Sequence, residues 1–335
     1  MNRILKTLIF SFISGATVLQ SGCSKFPGNL ETVTPIDPVY TMNVLYRRSN
    51  DNGNNELWKV QSDGSNKQKL NIVLPSGWVL DDEDMAEVSS DSKSIVFLAY
   101  NPITSVRAIY KCDTDGKSVT KLSADINLSI ALQAVVSSTA VLYWKAVSET
   151  SSDLELWRIN LNGTNNRKIN IVLPTGIKFG DEELAKVTED GKTIIFLTRN
   201  TSTGQEAIYK SNLDGTSPIR ITNETLGYNI ALQSILGEKS VLYRKTKDGS
   251  ANELWSVNID GTTRHKIDIK IPSGQELQNE EMAKGTDNGN RILFTTKNTT
   301  TGQQAFYFYN AEDGAVKLLM QETLNYSIAL QTTYY

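Results

Sequence analysis

Histidine occurs once in the 335 residues, at position 265, and cysteine twice, at positions 23 and 112. One imidazole and two widely separated thiols exclude a histidine-built metal cluster and a disulfide scaffold. Lysine and arginine number 34 against 37 aspartate and glutamate, for a net charge of −3, and the basic residues form no run or stripe. A nucleic-acid partner is therefore not expected. The Gly-x-Ser-x-Gly turn of a hydrolase nucleophile and a glycine-rich phosphate loop are both missing. Beyond the first two dozen residues there is no long apolar run. What is abundant instead is Asn, Thr, Ser, Gly and Tyr, the composition of many short strands joined by many turns.

The one apolar run lies at the start. Arg3 and Lys6 precede an apolar stretch from Leu8 to Leu19, which is too short to span a membrane and is followed by small residues. This reads as a secretory signal over residues 1–22. The segment Leu19-Gln20-Ser21-Gly22-Cys23 resembles a bacterial lipobox, with Gln20 where Leu is usual. The resemblance implies a lipidated Cys23 as the mature N-terminus, held on a membrane by buried acyl CH₂ groups. Ser24 after it favours the outer membrane, facing the periplasm or the cell surface. Residues 23–42, with Pro27, Pro35 and Pro38, form a tether. Cys112 stands where the other copies carry Ser211 and Phe308, and is expected to be a small packed side chain.

From residue 43 on, the chain repeats itself. Val44-Leu45-Tyr46 returns as Val141-Leu142-Tyr143 and Val241-Leu242-Tyr243, and Glu56-Leu57-Trp58 as Glu155-Leu156-Trp157 and Glu253-Leu254-Trp255. The copies run about 43–140, 141–240 and 241–335. Each divides again: Ile95-Val96-Phe97 aligns with Val141-Leu142-Tyr143, and Ala108-Ile109-Tyr110 with Glu155-Leu156-Trp157. The unit is thus four short strands, the last two joined by an Asp-Gly or Asn-Gly hairpin turn. Six such units predict an all-β, six-bladed β-propeller with four-stranded blades. The chain enters at the second strand of a blade and finishes with Ile328–Tyr335, which matches the innermost strands at Ile130–Val136 and Ile230–Ile235. The C-terminal strand is therefore expected to complete the N-terminal blade and close the ring.

Thr188-Glu189-Asp190-Gly191-Lys192-Thr193-Ile194-Ile195-Phe196, then Ala207-Ile208-Tyr209, Leu213-Asp214-Gly215 and Arg220-Ile221-Thr222, resembles the WD-like propeller repeat of the TolB family. The resemblance covers residues 44–335. It implies a propeller of the cell envelope that binds protein. The additional α/β domain that precedes the propeller in that family has no counterpart here, so the Tol–Pal role is not carried over.

Candidate site residues come from the strand that enters each blade at the channel. Glu87, Gln133, Lys186, Gln233, Lys284 and Gln331 occupy one polar position in the six blades. Four residues earlier stand Glu83, Glu182 and Glu280, alternating with Ser129, Asn229 and Ser327 and flanked by Asp84, Glu183 and Glu281. Residues four apart on a strand share a side. Converging carboxylates in a funnel attract cations, such as a basic peptide or Ca²⁺. The competing expectation is that hydrated strand entries bond to neighbouring blades. Trp58, Trp157 and Trp255 are expected to pack between blades, His265 to face solvent, and Trp78 to be a contact residue in a loop near the channel mouth. The leading function is a monomeric, membrane-anchored, non-enzymatic scaffold engaging an envelope protein, peptide or other ligand at the channel mouth. A Ca-dependent lactonase-like hydrolase and a glycan-binding propeller are the alternatives.

Overall fold

The computed structural model describes residues 42–50, 53–82, 86–180, 185–222, 224–247, 250–278, 283–286 and 289–335. They form six antiparallel sheets, the blades of a β-propeller, with no α-helix among the described residues. Blade 1 runs Tyr326–Tyr334, Asn43–Asn50, Asn55–Gln61, Gln68–Lys69 from channel to rim. The C-terminal strand pairs along the whole of Asn43–Asn50, so the ring closes as expected from the repeat. Closure leaves no long unpaired edge at the junction.

Odd and even blades differ at the channel. In blades 3 and 5 the innermost strand is continuous, Ile130–Val136 and Tyr228–Leu236, as it is in blade 1. In the even blades it is split. Val79–Leu80 and Ala86–Val88 both pair with Ser94–Asn101 in blade 2. Ile177–Phe179 and Ala185–Val187 share Thr193–Asn200 in blade 4, and Gln275–Leu277 and Ala283–Thr286 share Arg291–Asn298 in blade 6.

The core lies between blades rather than within them. Leu45 and Leu57 of blade 1 pack on Ile95, Phe97 and Tyr110 of blade 2, and corresponding clusters fill the other five interfaces. This follows from strands whose residues are buried on both faces, such as Ile95-Val96-Phe97-Leu98, all 0% exposed. Cys112 belongs to the first of these clusters. Ile72, Leu74, Ile171, Leu173, Ile269 and Ile271, on the straps leading from odd to even blades, cover the seams. The hairpin turns fit against the straps. Gly215, at φ +90°, has the oxygen of Asn170 only 2.6 Å from where a Cβ would sit. Only glycine meets both demands.

Candidate ligand site in the central channel

The six polar positions on the innermost strands separate into two sets. At Gln331, Gln133 and Gln233 the pairing register slips by one residue: Tyr46 pairs with Leu330 and Leu45 with Thr332, Tyr143 with Leu132 and Leu142 with Ala134, Tyr243 with Leu232 and Leu242 with Ser234. Each glutamine is the extra residue of a β-bulge, which re-aims its side chain sideways. Its amide oxygen accepts a backbone N–H of the next blade: Ala86 to Gln331 at 2.9 Å, Ala185 to Gln133 at 2.8 Å, Ala283 to Gln233 at 3.0 Å. In two of them the amide nitrogen donates to the carbonyl just before it, Leu132 at 2.9 Å and Leu232 at 3.2 Å. All three are at most 2% exposed. The glutamines are thus blade-to-blade clasps, buried in the ring.

Glu87, Lys186 and Lys284 hold the same position in blades 2, 4 and 6, and these three line the channel, where Gln233 also reaches the wall. They flank a cavity of about 820 Å³ whose wall also carries Ser234, Thr286, Asn290, Thr332 and Thr333. The cavity lies where innermost strands turn back into second strands, at Gly237 and Gly289. Lys284 Nζ comes within 4.0 Å of Glu87 Oε1, spanning the width of blade 1. A second cavity of about 910 Å³ adjoins it between blades 5 and 6 and includes the exposed His265. Glu83, Asp84, Glu182, Glu183, Glu280, Glu281 and Cys23 lie outside the described residues. Among the described residues no cluster of three or more His, Cys, Asp and Glu is placed to hold a metal ion.

Trp78 is not free at the channel mouth. It is half-buried on the core between blades 1 and 2, edge-on to Tyr110 at 5.6 Å, with Lys121 Nζ 4.6 Å above its ring. A single large apolar side chain in a strap gains more from covering that seam than from facing water. Trp58, Trp157 and Trp255 pack between blades as expected. Their ring N–H groups donate to Glu56, Glu155 and Glu253 at 2.8, 2.9 and 2.9 Å, and Lys69, Lys168 and Lys266 bind the other oxygen of each carboxylate. This explains why Glu-Leu-Trp recurs as a unit.

Three buried acids, Asp81, Glu224 and Glu322, escaped the sequence reading. Glu322 and Glu224 have fully buried side chains. Glu322 is held by Lys67 at 2.9 Å and Arg48 at 3.3 Å; Glu224 by Lys245 at 2.8 Å, Arg264 at 3.1 Å and the Tyr243 hydroxyl at 3.1 Å. Arg48 in turn lies 3.4 Å over Tyr326, and Lys245 4.3 Å over Tyr228. Burial alone would raise the Glu322 carboxyl; the bonds from Lys67 and the Thr323 N–H, with the charges of Lys67 and Arg48, outweigh it and hold the group below its ordinary value. The signal was present as Glu-x-x-x-Tyr-x-Ile in the last two copies. In the first copy that loop is one residue shorter, and its Asp125 turns outward to Lys121.

Solved structures were compared with this architecture. TolB of Acinetobacter baumannii superposes with a TM-score of 0.64 over 86% of this chain, at 14% identity. The fold is that of the TolB propeller. This chain spans 65% of the length of that TolB chain. A protein assigned as TolB from Agrobacterium tumefaciens gives 0.54 at 11% identity, over 88% of this chain and 99% of its own. An oligogalacturonate lyase in complex with manganese also gives 0.54, at 15% identity, over 76% of this chain and 70% of its own. So the TolB-type ring also occurs in an enzyme. No family model and no curated protein matches the chain.

Proposed function

We propose that this protein is a binding propeller of the bacterial envelope, exported, tethered by a lipidated Cys23, and engaging a peptide or protein segment at its channel. The observation that carries the reading is the division of the innermost positions. Odd blades use theirs as buried clasps, of which Gln233 also borders the cavity, whereas even blades put the charged Glu87, Lys186 and Lys284 around that space of about 820 Å³. Charged side chains in a narrow channel focus the field on what enters. The cavity is large enough for several residues of an extended segment, and its hydroxyl and amide wall offers both donors and acceptors.

A photo-crosslinking residue placed at Lys186 or Thr332 should capture a ligand in cells, and the same residue at the exposed Leu318, on the outermost strand of blade 6, should not. Equal capture at all three positions, or none at the channel, would remove the reading. Incorporation of an alkyne fatty acid that is lost in Cys23→Ser tests the anchor separately.

A further inference from the structure

On blade 3, away from the channel, two arginines face each other across strands. Leu154–Asn160 pairs with Arg167–Lys168, and Arg158 lies directly opposite Arg167. Like charges opposite one another on a sheet repel, and nothing in the ring requires them there. The same positions are Lys59 and Gln68 in blade 1, and Ser256 and His265 in blade 5. Both sit on the face turned towards blade 4. Arg158 is two residues after Leu156 and Arg167 two before Ile169, and Leu156 and Ile169 pack with blade 4 residues Ile194 and Phe196.

Neither guanidinium is neutralised from within. Lys59, the counterpart of Arg158, uses its ammonium to bind the Thr114 carbonyl in the hairpin turn of blade 2 at 3.1 Å. Arg158 has no such bond: it is half-buried, and its Nε is buried with no hydrogen-bond partner. Among the described residues neither arginine has an ion pair within 4.0 Å. An acid that feels the pair is Asp214, in the turn of blade 4. It feels the charge of Arg167 but makes no ion pair with it, and Thr216 donates its N–H and hydroxyl to Asp214 Oδ1 at 2.9 and 2.6 Å. Burial and the nearby Arg167 both work against the charge on Arg158.

The geometry points to an oxyanion site at the outer seam of blades 3 and 4, where Arg158 and Arg167 together hold a carboxylate or phosphate group of a ligand. Two adjacent guanidinium forks present several N–H donors to such a group, and a bound anion would relieve their mutual repulsion. A lysine–glutamine or serine–histidine pair could not supply that donor set, so the site belongs to one blade of three.

The test uses the full chain with ¹⁵N-labelled arginine, titrated with inorganic phosphate and separately with acetate against chloride at constant ionic strength. The Arg158 Nε–Hε resonance should shift saturably with at least one of the two oxyanions, and which one does identifies the headgroup. Arg167→Gln, which installs the blade 1 residue, should weaken that binding by roughly tenfold. Arg158→Lys should weaken it as well, since lysine lacks the planar fork. Shifts that stay linear with both anions, or affinity unchanged in Arg167→Gln, would overturn the site.

Discussion

Gln331 and Ala86 stand 245 residues apart in the chain, yet the Gln331 amide oxygen accepts the Ala86 backbone N–H at 2.9 Å in the fully buried ring wall. The same bond joins Gln133 to Ala185 and Gln233 to Ala283.

Replacing a clasp with an apolar isostere strands a buried N–H. Gln133→Leu should lower the unfolding free energy by about 1–3 kcal/mol, the desolvation cost of an unsatisfied donor. Denaturant unfolding measures it, and an unchanged midpoint would show that Gln133 does not hold the ring. Deleting residues 328–335 removes both a clasp and the closing strand, so it should cost more than any single clasp variant.

Acid should find the Glu322 cluster. Its folded-state carboxyl lies below the ordinary value of 4.5, so the stability it contributes is present above that value. It is lost as pH falls from there through the lowered folded value. Glu322→Gln should therefore be less stable than the parent at neutral pH, with the difference shrinking progressively below pH 4.5. A difference independent of pH in that window would refute the assignment.

The Cys112 thiol is pushed up to about 12, first by burial and then by Asp113 and Asp115. In a Cys23→Ser chain at pH 8, a thiol reagent should label Cys112 only at the rate of unfolding. Rapid labelling of the native protein would contradict its place in the core.

Two turn glycines separate strain from collision. Gly215 and Gly314 both have positive φ, but only Gly215 has an atom within reach of a Cβ. Alanine at either position should destabilise by about 1 kcal/mol for the backbone alone. Gly215→Ala should be clearly worse, because the Asn170 carbonyl must move. Equal melting temperatures would show that the strap yields freely.

The architecture was legible because the repeat is. Val-Leu-Tyr, Glu-Leu-Trp and Asp-Gly recur in register, and the terminal Ile-Ala-Leu-Gln matches the innermost strands of blades 3 and 5. The six polar channel positions were also found in the sequence, but not their division. A bulge adds one residue to a strand without changing composition, so nothing in the run Ile130–Val136 announces that Gln133 points sideways. Glu322 and Glu224 were passed over because acids before a strand read as solvated loop. Their burial depends on Lys67, Arg48, Lys245 and Arg264, which are brought from other strands. The packing of Trp78 was hidden for a related reason, since only tertiary structure shows that this strap residue lies on Tyr110.

Ring closure also sets the order of folding. Blade 1 begins at Asn43 but takes its innermost strand from Tyr326–Tyr334, so the first blade to be synthesised is the last to be completed. Until that strand emerges, Asn43–Asn50 has an open edge and the Ala86 N–H has no Gln331. A contact of such long sequence separation is slow to form. The ring therefore stays one strand short until its last nine-residue strand is available, and only then is blade 1 four strands deep.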